Sequence, residues 1–257
     1  MSAKLQVNDV SIAFGGVQAL ENVTIDFPSG KIIGIIGPNG AGKTTLLNVI
    51  CGLAQPTSGT VTLDGTVLNE LKPNQIAALG LRRTFQASQL FPNMSVLENM
   101  MTGLHLKVGS GLYGAIMRTA QMRREEEEMR ARALEALAFV GFAKFADRPG
   151  NALSFGQQRI VEIARTLIHD PKVVLLDEPA VGLSVARVAE LDELLQRIRL
   201  ERGVTTIMIE HVIRLVMGVS DHVVVMSSGR KIAEGTADSV RNDSAVVEAY
   251  LGHQHHA

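Results

Sequence analysis

The 257-residue chain is 46% hydrophobic and 20% charged, which excludes disorder and leaves enough apolar side chain for one sizeable core with a subdomain. Its 25 Lys and Arg nearly balance 26 Asp and Glu, so no net field favours a polyanion or an anionic membrane surface, and no nucleic-acid partner is expected. The one cysteine, Cys51, excludes an internal disulfide and reads as a small buried hydrophobe in a reducing compartment.

Met1-Ser2-Ala3-Lys4 leads straight into an alternating pattern, so no secretion signal is expected. Leu5 to Phe14 and Val23 to Phe27 interleave apolar and polar residues and read as strands. Lys31 to Ile36 is nearly continuous apolar sequence ending in glycine, which suits a buried strand. It runs into Gly37-Pro38-Asn39-Gly40-Ala41-Gly42-Lys43-Thr44, a G-x-x-x-x-G-K-[ST] pattern between a strand and a helix, the context a P-loop requires. Glycines let successive N–H groups face phosphates, Lys43 neutralises the outer phosphates, and the Thr44 hydroxyl suits Mg²⁺. Thr45 completes the candidate nucleotide-binding set.

Thr44 to Leu53 has helical spacing, and Gly59 to Leu68 places the turn Asp64-Gly65 between two β-prone runs, which predicts a hairpin and an antiparallel patch. The longest uncharged stretch, Thr44 to Leu63, is broken by Gly52, Pro56 and Gly59, so no membrane span is expected and any membrane work falls to other subunits. Leu90 to Arg165 turns to Met, Ala, Glu and Arg and reads as a helical subdomain. Within it Arg123 faces Glu127, and Arg124 faces Glu128, at i,i+4 spacing, as on a solvated helix face.

From Lys172 a strand-helix rhythm returns, with Val173 to Leu176 and Val204 to Ile209 as buried strands and Val188 to Leu200 as a helix. The fold class is therefore α/β, one domain over 1–257. A P-loop core with a mostly parallel sheet and an antiparallel β subdomain is expected at 4–89 and 166–251. The inserted helical subdomain falls at 90–165 and a tail at 252–257. The first of these strands ends in Asp177-Glu178; downstream of a P-loop, Asp177 suits the metal and Glu178 suits the attacking water. His253, His255 and His256 in the tail have no structured ligand partner and read as disorder rather than a metal site.

Leu153-Ser154-Phe155-Gly156-Gln157-Gln158-Arg159, upstream of that strand, resembles the L-S-G-G-Q signature of the ABC ATPase family, with Phe155 in place of a glycine. Ser154 is placed to cap the helix that follows, leaving the backbone donors of Ser154, Gly156 and Gln157 at a helix start suited to an anion. Four further positions fit the same family order. The resemblance makes Phe14 the adenine-stacking aromatic, Gln86 the loop glutamine that senses Mg²⁺ and water, and His211, after the strand Thr205 to Ile209, the switch histidine that with Glu178 is catalytic. Val181-Gly182-Leu183-Ser184 resembles the D-loop, with Ser184 where many members have Asp.

One subfamily is most similar: the ATP-binding subunits of branched-chain amino-acid importers. It is carried by Arg83-Thr84-Phe85-Gln86 with Leu90-Phe91-Pro92, Glu210-His211 and the closing Ala249-Tyr250-Leu251-Gly252. The resemblance implies ATP and Mg²⁺ as cofactors and ATP hydrolysis that drives transport. It implies a head-to-tail pair with an identical or paralogous cassette, transmembrane permease subunits, and indirectly an extracytoplasmic substrate-binding protein. The place implied is cytoplasmic, peripheral on the inner face of the membrane. Urea or amide importers, exporters and lipid transporters use similar cassettes; a soluble switch on nucleic acid or ribosomes fits the charge balance poorly. The segment Ala87 to Met94 concentrates Leu90, Phe91 and Met94, which either cover a seam or, as the resemblance implies, meet a helix of the membrane subunit.

Overall fold

The structure, a computed structural model, describes residues 4–84, 90–104 and 120–251. Gln86 and the histidine-rich tail lie outside the described residues. No helix among the described residues is long and apolar enough to cross a membrane. The chain divides into two compact units, one drawn from Met1–Gln86 and Lys172–Ala257, the other from Ala87–Pro171.

The first unit holds two sheets. One has six strands in the order β10-β9-β3-β8-β7-β6: β3 (Ile32–Ile36), β6 (Leu81–Arg83), β7 (Val173–Asp177), β8 (Thr205–Ile209), β9 (His222–Ser227) and β10 (Arg230–Gly235). β9, β3, β8, β7 and β6 pair in parallel and only β10 is antiparallel. Every residue of β3, β7 and β8 is buried, the physical reason for the mostly apolar sequence of these strands, in which Thr205, Thr206 and the strand-end Asp177 are the polar residues: a parallel strand covered on both faces has no polar side to display.

The other sheet is antiparallel, ordered β2-β1-β4-β5, with β1 at Leu5–Phe14, β2 at Val17–Phe27, β4 at Ser58–Leu63 and β5 at Thr66–Val67. In β1 the core-facing residues are Leu5, Val7, Val10 and Ile12; a register irregularity between Val7 and Val10, with Asp9 at φ 48°, returns the alternation to the core face. Asp64 and Gly65, both at positive φ, close the expected two-residue hairpin between β4 and β5. Leu5, Ile25 and Val61 of this sheet share a core with Leu46 and Ile50 of the helix Lys43–Ile50 and with Ile33, Leu175 and Ile207 of the larger sheet.

Some boundaries differ from the sequence reading. β2 begins at Val17 rather than Val23, because Gly15 and Gly16, both at positive φ, form a tight turn that pairs Phe14 with Val17. The helix after the P-loop ends at Ile50, with Gly52 at φ 71° turning the chain away, rather than at Leu53.

The second unit carries helices at Val96–Thr102, Ala120–Phe139 and Phe155–Leu167. Ser95 and Glu98 form a capping box that starts the first. Arg123, Arg124 and Glu126 to Glu128 are exposed, as a solvated face requires. Asn99 is fully buried, and its amide clasps the preceding segment: Nδ2 donates to the carbonyls of Phe91 (3.0 Å), Met94 (3.2 Å) and Ser95 (3.0 Å), while Oδ1 accepts from the Phe91 N–H at 2.7 Å. Asn99 shares its two N–H donors among three carbonyls and accepts one N–H, and so fixes a loop that has no ladder of its own.

Candidate functional site

β3 delivers the chain to Gly37, and the loop that follows is shaped by close main-chain approach. A Cβ at Gly37 would lie 2.0 Å from the carbonyl oxygen of Met226 on β9, and one at Gly42 would lie 2.6 Å from that of Ala19 on β2; both glycines are at positive φ. No side chain fits either place. Asn39 and Gly40 form an exposed tip, Pro38 is half-buried, and the Ala41 N–H closes the turn onto the Pro38 carbonyl at 3.2 Å. Gly42 caps the helix Lys43–Ile50 with no side-chain acceptor, so no capping side chain competes with an anion for the first-turn N–H groups.

Lys43 is buried, and its Nζ donates to the carbonyls of Gly37 (2.7 Å) and Pro38 (2.9 Å). Burial lowers its pKa, against the opposing pull of Glu178 and Asp177. Thr44 is exposed and Thr45 half-buried in the same first turn. Phe14 ends β1 on the hairpin whose Ala19 abuts Gly42, and at 53% exposure its ring is a surface feature rather than core.

Asp177 is the last residue of β7 and Glu178 the first beyond it. The Asp177 carboxylate accepts from Arg83 Nη2 at 2.7 Å with both side chains 7% exposed, and Arg83 Nη1 reaches Asn48 Oδ1 at 2.6 Å. Sequence reasoning named Arg83 only as part of a resemblance; an arginine at the end of the neighbouring parallel strand is the sole sequence cue to this pair. Glu178 adopts φ 48°, the left-handed region that costs a non-glycine residue energy and recurs at functional sites. Its N–H is held by the Ile209 carbonyl at 2.9 Å, and its Oε1 lies 3.0 Å from His211 Nε2. The structure thus brings together Glu178 and His211, from segments that follow neighbouring strands β7 and β8.

Glu210, which the sequence reading used only to identify a subfamily, is 1% exposed. Its Oε1 accepts from the Ala180 N–H at 2.5 Å, and its Oε2 from the N–H groups of His211 (3.0 Å) and Val212 (3.2 Å). Burial raises its pKa and the three amides pull it back.

The signature residues belong to the second unit. Ser154 caps the helix Phe155–Leu167, but the donors expected to remain open there are partly engaged: Gln157 Oε1 takes the Ser154 N–H at 2.9 Å and Ser154 Oγ takes the Gln157 N–H at 3.4 Å. The reason is Gln157 at the third helical position, which completes a capping box. Gly156 is half-buried, and Phe155 is exposed with its ring beside the buried Arg159. Ser184 stands at the start of the helix Val185–Arg202 without a side-chain cap bond.

Comparison with known proteins agrees with this architecture. The ABC transporter family profile matches residues 20–181, and the profile of the branched-chain amino acid ATP-binding cassette transporter matches residues 230–256. The high-affinity branched-chain amino acid transport ATP-binding protein LivG of Salmonella typhimurium is 41% identical over 248 residues, spanning 96% of this chain and 97% of its own. The crystal structure of an ABC transporter cassette in its ADP conformation superposes with a TM-score of 0.85 at 33% identity, covering 98% of this chain and 99% of the other. A dimeric post-hydrolysis cassette bound to ADP and Pi superposes with a TM-score of 0.75 at 29% identity, covering 91% and 98%. The chain belongs to the ABC transporter family, as an ATP-binding cassette whose nucleotide hydrolysis is coupled to transport.

Proposed function

We propose that this cassette binds Mg-ATP in the loop 37–45 and hydrolyses it with Glu178 and His211 to drive import of branched-chain amino acids through separate permease subunits. The observation that carries the reading is the 3.0 Å contact between Glu178 and His211, formed where the charge of Lys43 feels both Glu178 and Asp177. The donor set fits the metal: a threonine hydroxyl in the first helical turn and a buried strand-end carboxylate are hard oxygen ligands of the kind Mg²⁺ takes. Thr44 and Asp177 would hold it, with Gln86 assigned by resemblance. When bound, the ion neutralises charge on the phosphate oxygens.

Lys43, now folded onto two loop carbonyls, exchanges those acceptors for the outer phosphates, and Phe14 stacks on adenine. Glu178 orients the attacking water and takes its proton as the water oxygen bonds to the γ-phosphorus and the bond to the bridging oxygen breaks, the electron pair leaving with ADP. His211 holds the Glu178 carboxylate in place through Nε2. Ser154, Gly156 and Gln157 of a second cassette, identical or paralogous, close over the nucleotide, the capping box opening to release its donors.

Phe91, 52% exposed, meets a permease helix at the inner face of the membrane, where the cassette is peripheral, and the extracytoplasmic binding protein acts through the permease. The test is to reconstitute the chain with its native membrane partners and compare ATPase stimulation by branched-chain amino acids, urea and amides. Stimulation by the first alone is expected; stimulation by urea or amides alone overturns the substrate reading.

A further inference from the structure

A carboxylate at 1% exposure is costly unless its charge is met by donors, and Glu210 meets that demand with main-chain amides from two separate segments. One oxygen takes the Ala180 N–H, 30 residues upstream; the other takes the N–H groups of His211 and Val212. The sheet does not need a charge there, since β8 is complete at Ile209 with every residue buried. What the carboxylate alone supplies is acceptance at both ends. A carboxamide in the same place has one oxygen, and its NH₂ would face a backbone N–H.

The two segments so joined are the ones that matter to the candidate chemistry. Ala180 lies two residues beyond Glu178, in the segment that leads to the exposed Val181, Ser184 and Val185. On the other side, His211 contacts Glu178. We propose that Glu210 is a positioning residue that, by tying the Ala180 N–H to those of His211 and Val212, holds His211 in register with Glu178. This rests on the catalytic reading of Glu178 and His211 given above.

The experiment is a double-mutant cycle on the full chain with Glu210→Gln, His211→Ala and both together. ATP turnover is measured across ATP concentrations, alongside melting and amide exchange at Ala180, His211 and Val212. Glu210→Gln is expected to lower kcat about tenfold or more, the size of one lost charge-assisted hydrogen bond, with KM for ATP changed less than about twofold. In the His211→Ala background the same change should add less than about twofold, because a residue acting through His211 has nothing left to position. Faster exchange at Ala180, or at His211 and Val212, should accompany it.

Unchanged kcat in Glu210→Gln beside an impaired His211→Ala overturns the proposal alone, as does a full additive loss in the double variant. Wild-type turnover in His211→Ala overturns the catalytic reading and the proposal with it. If Glu210→Gln does not fold, Glu210→Asp keeps the charge but is one methylene short of spanning both segments; wild-type turnover in that variant also overturns the proposal.

Discussion

The phosphate loop at 37–44 follows β3, the carboxylate cluster of Asp177, Glu178 and Glu210 sits at the ends of β7 and β8 in the same sheet, and the two are built in opposite ways. The loop is main chain pressed against main chain, with Gly37 against Met226 and Gly42 against Ala19, and Lys43 rests on the loop's own carbonyls. The cluster is side chains held by other groups: Arg83 on Asp177, His211 on Glu178, three amides on Glu210. Backbone architecture tolerates loss of a side chain without collapse, whereas a buried charge network fails when one member leaves. The same contrast separates binding from hydrolysis, since binding is assigned to the loop and water activation to the cluster.

The largest expected effect tests the cluster. Glu178→Gln should bind ATP and hydrolyse it slower by about 10² to 10⁴, measured as single-turnover phosphate release, and should accumulate as an ATP-dependent dimer on size exclusion. Wild-type turnover would remove Glu178 from the role. Next, Arg83→Gln leaves Asp177 buried without its guanidinium and should cost about 3 to 5 kcal/mol in denaturant unfolding. A loss below about 1 kcal/mol would mean that the cluster tolerates deletion as the loop does, and the comparison would break.

Lys43→Ala tests the other side. Because main-chain contacts shape the loop, melting without nucleotide should stay within about 1 kcal/mol of the parent. The ATP-induced stabilisation, about 2.7 kcal/mol at 100 times Kd, should largely vanish. A large loss of stability without ATP would show that Lys43 holds the loop together.

The two constructions also explain what the amino-acid pattern discloses. A loop made of glycines writes itself into sequence, because Gly37 and Gly42 stand where a Cβ would collide, while Gly40 and the turn residue Gly65 have room for a Cβ but sit at a positive φ that favours glycine. A fully buried strand such as β7 discloses itself by the apolar run Val173 to Leu176, and that placed Asp177 and Glu178 at a strand end. The work of Glu210 and Arg83 was not readable, since a hydrogen bond between residues 30 or 94 apart leaves no periodicity. The φ of 48° at Glu178 has no local marker either, since Glu is not a residue that favours the left-handed region, and its N–H is bound to the carbonyl of Ile209, 31 residues away in sequence. The first residues of β2, Val17 to Asn22, were missed because Gly15-Gly16 was not read as a hairpin turn.

The smallest expected effect lies in the second unit, where a loop is held in a third way, by one side chain clasping main chain. Asn99 fixes the backbone of Phe91 and Met94, so the Phe91 ring need not pack to hold the loop, and it stands 52% exposed. If Phe91 instead covered a seam, a charge there would be buried without a partner and would cost several kcal/mol. Exposure argues for the other outcome. Phe91→Asp should change the stability of the free chain by no more than about 0.5 kcal/mol in denaturant unfolding and leave ATP binding unaltered. Asn99→Ala strips the part-buried carbonyls of Phe91, Met94 and Ser95 and the Phe91 N–H of their partner, and should cost about 1 to 3 kcal/mol. In the reconstituted transporter the proposed permease contact of Phe91 predicts the reverse order, because a loop tied down by Asn99 holds the Phe91 backbone in one place. Phe91→Asp should then impair assembly or substrate-stimulated hydrolysis more than its effect on the free chain foretells. Collapse of free Phe91→Asp would return the residue to the seam, and normal assembly with normal stimulated turnover would remove it from the permease contact.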